Sequence, residues 1–312
     1  MNRRKGYGDM MSRCGHDVDY FEIWKKDHKN KLKPEHIKQM NPDIVWFFNP
    51  IYIRNNPQAV DVIRARKIPI VLYNTYMPNE PYEQSMDIWE KIDFLFVHNL
   101  ELHEFLVGKG IDAHYMPIGF YPYQYFTGGV ELDNKYDVSF CGTALPRDSY
   151  EDDKRAKYLR ALKKEDIVVF GESFLGKVKD IPVKGYSTHE EQRNIYWRSR
   201  INLDLPFFHS SPSFYKNKYH IKNRFFEIPA SYGFLLTVKC PEFLKIFGED
   251  EIGYYEDSVE SLKENVERYL KDEKKRRGMA ERSYQIVHQK HTYLHRFEAM
   301  FRIIENKETV SI

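Results

Sequence analysis

The chain has 312 residues, a length that suggests two domains of ordinary size. Hydrophobic residues make up 42% and charged residues 30%, so each half can bury a core and a disordered chain is excluded. The formal net charge is only +2, which is not expected of a protein built to bind nucleic acid.

Three cysteines, Cys14, Cys141 and Cys240, lie far apart in the sequence. Their spacing predicts neither a disulfide framework nor a zinc site, and it is typical of a reduced, cytoplasmic setting. The N-terminus is basic, but no apolar segment follows Arg3 and Arg4, so no signal peptide is predicted. The apolar runs are too short to span a bilayer, which leaves peripheral membrane contact as an open alternative.

The first residues do not fit the start of an ordinary α/β domain. Residues 5–8, KGYG, read as a glycine-containing loop that feeds a helix, and the residues after Gly15 read as a strand. Such a loop normally follows a strand, yet too few residues precede Gly6 to form one. We therefore expect either that the first strand is missing from this sequence or that the sheet is one strand short.

Strands and helices then alternate through the first half. The predicted strands are continuous apolar runs at residues 43–48, 69–74, 93–98 and 112–119. The predicted helices lie at residues 34–40, 57–67, before about residue 91, and 100–110. Continuous apolar strands separated by short helices favour a parallel sheet that is covered on both faces.

Residues 119–134 break this alternation, because Pro122, Gly128 and Gly129 make them the best linker candidate. A second α/β unit follows, with strands predicted at residues 136–142, 166–171, 183–186, 201–206, 233–238 and 251–255. Three amphipathic helices are predicted from Asp257 onward. The alternation alone fits a two-domain transferase, a periplasmic-type binding protein or a dehydrogenase.

A basic segment stands where a short helix is expected to begin, in the stretch YHIKNRFFEIPASYGFLLT from Tyr219 to Thr237. Its cations are Lys216, Lys218, His220, Lys222 and Arg224. Cations at a helix N-terminus are disfavoured by about 0.3–1 kcal/mol each, whereas an anion such as phosphate is favoured there. The stretch therefore predicts a phosphate site, and the alternative is a solvated lysine patch beside a buried strand.

Four strings carry a family resemblance: YDVSFCGTALPR, KGYSTHEEQRNIYWRSRINLDLP, KNRFFEIPASYGFLLT and FGEDEIGYYEDSVESLKENVERYL. They resemble the C-terminal half of CgeB-like glycosyltransferases, named for spore-maturation proteins. The resemblance extends from about residue 136 to 301 and more weakly over residues 5–126. It implies an α/β fold with two Rossmann-like domains, the GT-B architecture, and C-terminal helices.

The resemblance also implies a division of labour. Residues 1–120 would form the acceptor domain, 121–134 the linker, 135–290 the nucleotide-sugar domain, and 291–312 a helix that packs back on the first domain. The expected reaction moves a hexose from a nucleoside-diphosphate sugar to an acceptor, in a cleft between the domains. No metal and no cofactor are expected, because GT-B enzymes stabilise the leaving diphosphate with positive side chains. The acceptor stays open between a glycan, a protein, a lipid and a small molecule.

In the donor domain, the resemblance assigns Arg224 to the diphosphate, because its planar fork matches phosphate geometry, with Lys222 as its helper. An ion pair between Arg224 and Glu227 is the plain alternative. Glu227 resembles the family glutamate that accepts the ribose hydroxyls. His220 stands where many relatives carry a second glutamate, and we keep it among the donor-binding residues. Pro229 is predicted to kink or end the helix just after Glu227.

Two further groups complete the expected donor site. Gly142, Thr143 and Arg147 follow the first strand of the second unit, where a glycine lets a phosphate approach the backbone closely. Gly185 and Tyr186 lie where relatives hold the nucleotide base. Tyr186 is predicted either to stack on the base or to be buried in the core.

On the acceptor side, the candidates are Gly6, Tyr7, Gly8, Asn74 and Glu80. His98 is the candidate catalytic base for an inverting reaction, with Glu80 and Asp87 as alternatives. A structural histidine at a strand end is the simpler interpretation of His98, and a retaining enzyme needs no such base.

Two other functions stay open. A non-catalytic nucleotide- or sugar-binding protein could keep the GT-B shape, which the short N-terminus and His220 favour. A nicotinamide dehydrogenase is disfavoured, because KGYG lacks the full G-x-G-x-x-G pattern.

Overall fold

The computed structural model describes residues 3–19, 32–75, 82–125, 135–144, 153–207 and 219–306. They form two compact units. The described parts of the first unit lie within Met1–Ile118 and Tyr293–Ile312, and those of the second lie within Gly119–Ser211 and Asn217–Thr292.

The first unit contains a four-stranded parallel sheet with the order β1-β2-β3-β4. Its strands are β1 (Val45–Phe47), β2 (Ile70–Asn74), β3 (Phe94–Val97) and β4 (Ala113–Tyr115). Its first helices are α1 (Arg3–Arg13), α2 (Pro34–Met40), α3 (Pro50–Arg54), α4 (Pro57–Ala65), α5 (Met86–Trp89) and α6 (Leu100–Gly108). Three of these helices begin with proline, whose fixed φ suits the first helical position. Every residue of β2 is buried, as its continuous apolar sequence predicts.

The N-terminus differs from the prediction. Residues 5–8 lie inside the helix α1, not in a loop. Tyr7 is buried there, with its ring centre 4.8 Å from that of Phe48 and 5.0 Å from that of Tyr293. Glycine disfavours a helix by about 1 kcal/mol per residue, but burial of an apolar face supplies most helical stability in proteins. Residues 16–19, where a strand was expected to begin, form no strand, and the rest of that prediction lies outside the described residues.

The second unit contains a six-stranded parallel sheet with the order β10-β9-β8-β5-β6-β7. Its strands are β5 (Tyr136–Cys141), β6 (Ile167–Phe170), β7 (Val183–Lys184), β8 (Ser199–Leu203), β9 (Leu235–Val238) and β10 (Gly253–Tyr255). The chain runs outward from β5 to β7 and then returns to place β8 on the other side of β5. This reversal is the Rossmann order, and ligands bind such sheets at the carboxyl ends of the strands beside the reversal.

The helices of the second unit are α7 (Lys154–Arg160), α8 (His189–Trp197), α9 (Arg224–Ala230), α10 (Pro241–Leu244), α11 (Val259–Lys271) and α12 (Glu273–Lys290). The helix α13 (Tyr293–Asn306) belongs to the first unit, where Arg296 Nε donates to the carbonyl of Pro117 at 2.9 Å. The three predicted C-terminal helices are therefore confirmed as α11, α12 and α13. None of the helices in the described ranges is long and apolar enough to cross a bilayer.

Candidate functional site

The predicted donor residues begin to come together where β5 and β8 end. Gly142 directly follows β5, Asp204 directly follows β8, and Arg224 is the first residue of α9. The neighbouring strands β5 and β8 flank the reversal of the sheet order. The structure therefore places these three residues at the edge of the second sheet where a ligand is expected.

Arg224 is held on three sides. Its Nε donates to Asp204 Oδ1 at 2.6 Å, and its Nη1 donates to the carbonyl of Cys141 at 3.0 Å. Its guanidinium carbon lies 4.9 Å from the ring centre of Phe140. The remaining nitrogen, Nη2, is buried and has no hydrogen-bond acceptor within the described residues. The carboxylate that pairs with Arg224 is Asp204, whereas the plain alternative named Glu227.

Asp204 was missed by the sequence analysis, which treated it as part of a strand. Its side chain is fully buried, and its Oδ2 accepts a hydrogen bond from Thr237 Oγ1 at 3.3 Å. An aspartate is almost never fully buried unless it is paired. In the sequence, the signal for this ion pair was a single acidic residue at the end of an apolar run, which indicates a cationic partner.

Arg155 was also missed, and it fixes the loops around the site. It is 2% exposed, and it donates to the carbonyls of Thr143 at 2.7 Å, Leu205 at 3.0 Å and Phe207 at 2.8 Å. Burial, and then the charge of Arg224, lower the pKa of Arg155. No local pattern distinguished Arg155 from the other cations of α7, since all three acceptors belong to the backbone.

Lys222 lies in the same electrostatic environment. Burial lowers its pKa well below the usual value, the charges of Arg155 and Arg224 lower it further, and Asp204 opposes the shift. Asp153, a buried acid near Arg155, is already paired with Lys177 at 3.1 Å. Among the described residues, the charges of Arg155 and Arg224 therefore disfavour the charged form of Lys222, and a bound anion beside these side chains would oppose that effect.

The helix α9 is short, so the side chains rather than a helix dipole make this edge cationic. It has seven residues and ends at Ala230, so it continues three residues past Glu227 and Pro229 lies inside it, one residue before its end. Glu227 lies within it and is 8% exposed. His220 is partly buried just before it, with its backbone N–H donating to the carbonyl of Pro206 at 3.3 Å.

Glycines at the ends of two neighbouring strands leave space that a side chain would fill. A Cβ on Gly142 would lie 2.8 Å from Arg224 Nη1 and 2.9 Å from Phe140 Cζ. A Cβ on Gly171, which follows β6, would lie 1.9 Å from the carbonyl oxygen of Gly142. Gly142 therefore makes room for the guanidinium, and Gly171, which the sequence analysis did not single out, makes room for Gly142. A Cβ on Gly185 would meet only Glu172, at an ordinary 3.6 Å.

A pocket of about 300 Å³ lies beside the end of β7 in the second unit. The residues that line it include the aromatic Tyr136, Phe170 and Tyr186, together with Lys184 and Gly185. Tyr186 is 78% exposed, so the alternative that it is a core residue is wrong. An exposed aromatic ring beside a pocket of this size can stack on a planar ligand.

In the first unit, Asn74 ends β2 and His98 follows β3, and both are buried. The backbone N–H of His98 donates to the carbonyl of Asn74 at 3.2 Å, and His98 Nδ1 lies 2.9 Å from the same oxygen. A carbonyl only accepts hydrogen bonds, so Nδ1 carries the proton in the neutral ring and Nε2 carries the lone pair. This tautomer is the one that lets Nε2 act as a base.

The other acceptor-side candidates divide into three groups. Gly6, Tyr7 and Gly8 are buried within α1. Asp87 is exposed and lies 4.0 Å from Lys91, one helical turn away. Glu80, like Arg147 of the donor set and the lysines at 216 and 218, lies outside the described residues.

Across the described ranges, no group of three or more His, Cys, Asp and Glu residues could hold a metal ion.

Comparison with known proteins gives a family match and a fold. Residues 154–302 match the family described as glycosyl transferase-like. No curated protein matches the chain.

Three solved structures resemble the chain at low sequence identity. A glycosyltransferase from Rickettsia africae is 12% identical with a TM-score of 0.65, over 88% of this chain and 79% of that one. Anabaena HepE in complex with UDP-glucose is 9% identical with a TM-score of 0.66, over 96% and 89%. A sucrose-phosphate synthase from Thermosynechococcus elongatus is 11% identical with a TM-score of 0.64, over 98% and 92%. The chain therefore has the fold of the GT-B glycosyltransferases, with a glycosyl transferase-like sequence match over residues 154–302.

Proposed function

We propose that the protein is a glycosyltransferase that transfers a hexose from a nucleoside-diphosphate sugar to an acceptor. The observation that carries the proposal is Arg224, which is fixed by Asp204 and by the carbonyl of Cys141 and shares its surroundings with Lys222. The family match and the fold support the same reaction class. The four sequence strings support a place in the CgeB-like family.

UDP is the nucleotide to test first. HepE was solved with UDP and with UDP-glucose, and a trehalose-phosphate synthase of similar fold is described as UDP-forming. In the proposed donor site, Arg224 and Lys222 bind the diphosphate, and Glu227 accepts the ribose hydroxyls. Tyr186 stacks on the base, beside Gly185.

The step that most needs stabilisation is the departure of the nucleoside diphosphate. When the bond between the sugar carbon and the diphosphate breaks, negative charge grows on the phosphate oxygen. Donors fixed beforehand at that position stabilise the charge without reorganising, which is the largest catalytic effect in many enzymes. In the proposed mechanism Arg224 and Lys222 supply this stabilisation, so that no metal ion is needed.

The first unit is proposed to bind the acceptor. His98 Nε2 would take the proton of the attacking hydroxyl in an inverting reaction, as its tautomer permits. Asn74 would position His98 through its backbone carbonyl.

Nucleotide-dependent thermal stability tests the donor site. UDP at about a hundred times its dissociation constant should stabilise the folded protein by about 2.7 kcal/mol. Arg224→Lys should lose most of this effect, because lysine keeps a charge beside Asp204 but lacks the fork. The matched control is Arg200→Lys, since Arg200 also pairs with an aspartate, Asp137, at 2.7 Å, in a more exposed position near the starts of β8 and β5.

Two outcomes would contradict the proposal. If UDP, GDP, ADP and TDP all leave the unfolding temperature unchanged, the proposed site does not bind a nucleoside diphosphate. If a nucleotide binds but no nucleotide sugar is hydrolysed, and none is transferred in a screen of glycan, protein, lipid and small-molecule acceptors, the protein is a binding protein instead.

A further inference from the structure

The buried ion pair between Asp204 and Arg224 needs its own explanation. Asp204 is fully buried and receives hydrogen bonds from Arg224 Nε and Thr237 Oγ1. Replacing a buried ion pair with apolar residues is often neutral or stabilising, so such a pair is weak evidence for a role in stability. Its best-attested benefit is to fix one arrangement among several.

The contacts of Arg224 show which arrangement is fixed. A guanidinium group is planar and has three nitrogens, of which two are occupied in Arg224. Asp204 holds Nε at 2.6 Å, and the carbonyl of Cys141 holds Nη1 at 3.0 Å. Two contacts at different nitrogens prevent rotation of the plane. Nη2 is then the nitrogen whose N–H groups have no acceptor within the ranges that the structure describes.

The surroundings reinforce this orientation. The guanidinium lies over the ring of Phe140, and Gly142 leaves the space that Nη1 occupies. Thr237, on the adjacent strand β9, holds the second oxygen of Asp204, so the carboxylate itself cannot turn freely.

We propose that Asp204 is a positioning residue that holds the Arg224 guanidinium so that Nη2 donates to the diphosphate of the nucleotide sugar. This inference rests on the proposed function. Asp204 itself does not touch the donor in this arrangement. It acts by keeping Nε occupied, which leaves the buried Nη2 as the nitrogen of the fork that would donate to a phosphate oxygen.

Titration calorimetry with two probes, UDP and uridine, separates positioning from general stability. Asp204→Asn should lower the affinity for UDP by about 10- to 100-fold, the loss expected when one charge-assisted hydrogen bond is misaligned. Affinity for uridine, which has no phosphate, should not change. Arg224→Lys should lower UDP affinity similarly. The double variant should be no weaker than Arg224→Lys alone, because Asp204 then has no fork to hold.

The rotation of the guanidinium gives a second readout. In ¹⁵N-arginine NMR spectra, the wild-type protein should show separate Nη signals for Arg224, because the group is fixed at both Nε and Nη1. Asp204→Asn should merge or broaden them. Thr237→Val, which removes only the hydrogen bond to Asp204 Oδ2, provides a milder variant if Asp204→Asn does not fold.

The matched control is Asp137→Asn, which neutralises an aspartate paired with Arg200 in the same unit near the starts of the strands. It should leave UDP affinity unchanged. Equal losses of affinity for UDP and uridine would contradict the positioning role of Asp204, and so would additive losses of UDP affinity in the double variant. Neither result would contradict the proposed transferase function. Absence of binding of UDP, GDP, ADP and TDP alike by the wild type would remove both.

Discussion

The two sheets of the protein carry different side chains at the carboxyl ends of their strands, although both sheets are parallel and both are covered by helices. The carboxyl edge of the six-stranded sheet carries the charged side chains of Arg224 and Asp204, with Lys222 and Arg155 close by. At the carboxyl edge of the four-stranded sheet, Asn74 and His98 bind each other and carry no fixed charge, while the buried Arg296 donates to the carbonyl of Pro117 beyond β4. Among the described residues, one edge therefore presents charged side chains suited to an anion, and the other, called here the neutral edge for Asn74 and His98, presents neutral polar groups at the ends of β2 and β3.

The difference has a physical reason. Stabilising a leaving diphosphate needs cations that are held in place before the reaction, in a site with little water. Activating a hydroxyl instead needs a neutral base with a pKa near the working pH, which histidine supplies. If the two edges have these separate tasks, substitutions at one edge should change donor affinity, and substitutions at the other should change the rate of transfer.

The largest effect is expected from His98→Gln. Loss of a general base lowers rates by about 100- to 10,000-fold, so kcat for transfer from UDP-glucose should fall by this factor. UDP affinity should stay at the wild-type value, because His98 belongs to the neutral edge. His114→Gln, which replaces a histidine on β4 of the same sheet, is the control and should keep its kcat. A normal kcat in His98→Gln would contradict the role of His98 as the general base. Weakened UDP binding in the same variant would contradict the separation of tasks between the two edges.

A smaller effect is expected from Gly142→Ala at the charged edge. The new Cβ would lie 2.8 Å from Arg224 Nη1, closer than non-bonded atoms allow, so the guanidinium must shift. UDP affinity should fall by roughly tenfold, which corresponds to about 1.4 kcal/mol. The change can be measured by titration calorimetry. Gly248→Ala is the matched control, because its Cβ would meet only Glu251 at 3.8 Å. Unchanged UDP affinity in Gly142→Ala would show that Arg224 does not bind the diphosphate in the orientation seen here.

The fold could be predicted because its signals are local. Continuous apolar strands, capping residues and turn glycines lie within a few positions of each other, and they correctly indicated two parallel sheets. The prediction failed at α1, where two glycines indicated a loop. The apolar residues of that helix, such as Tyr7, pack against residues as distant as Tyr293, and this burial outweighs the weak helix propensity of glycine.

The candidate site could be predicted only in part. Arg224 and Lys222 were singled out because a basic run before an apolar strand is visible in the sequence. Asp204 and Arg155 were missed because their partners lie 12 to 52 residues away in the sequence. Which acid pairs with which cation depends on strand order, since β5 and β8 become neighbours only after the sheet has formed. That order does not follow from periodicity alone.

The smallest predicted effect concerns pH and Lys222. Burial and the nearby charges of Arg155 and Arg224 lower the pKa of Lys222 in the free protein. A bound diphosphate would add negative charge beside the ammonium group and raise this pKa again. Binding should therefore take up a proton, and UDP affinity should fall a few-fold as the pH rises through the lowered pKa of the free protein.

Calorimetry in buffers of different ionisation enthalpy measures this proton uptake directly. Lys222→Arg should remove the share of this proton uptake that belongs to residue 222, because arginine stays charged throughout. The proton uptake that remains is that of the diphosphate itself. Lys239→Arg is the control, since Lys239 is paired with Glu249 at 2.8 Å and should leave the uptake unchanged. Equal proton uptake in the wild type and in Lys222→Arg would mean that Lys222 does not face the diphosphate. The charged edge would then act on the donor through Arg224 alone, and the contrast with the neutral edge would depend on a single side chain.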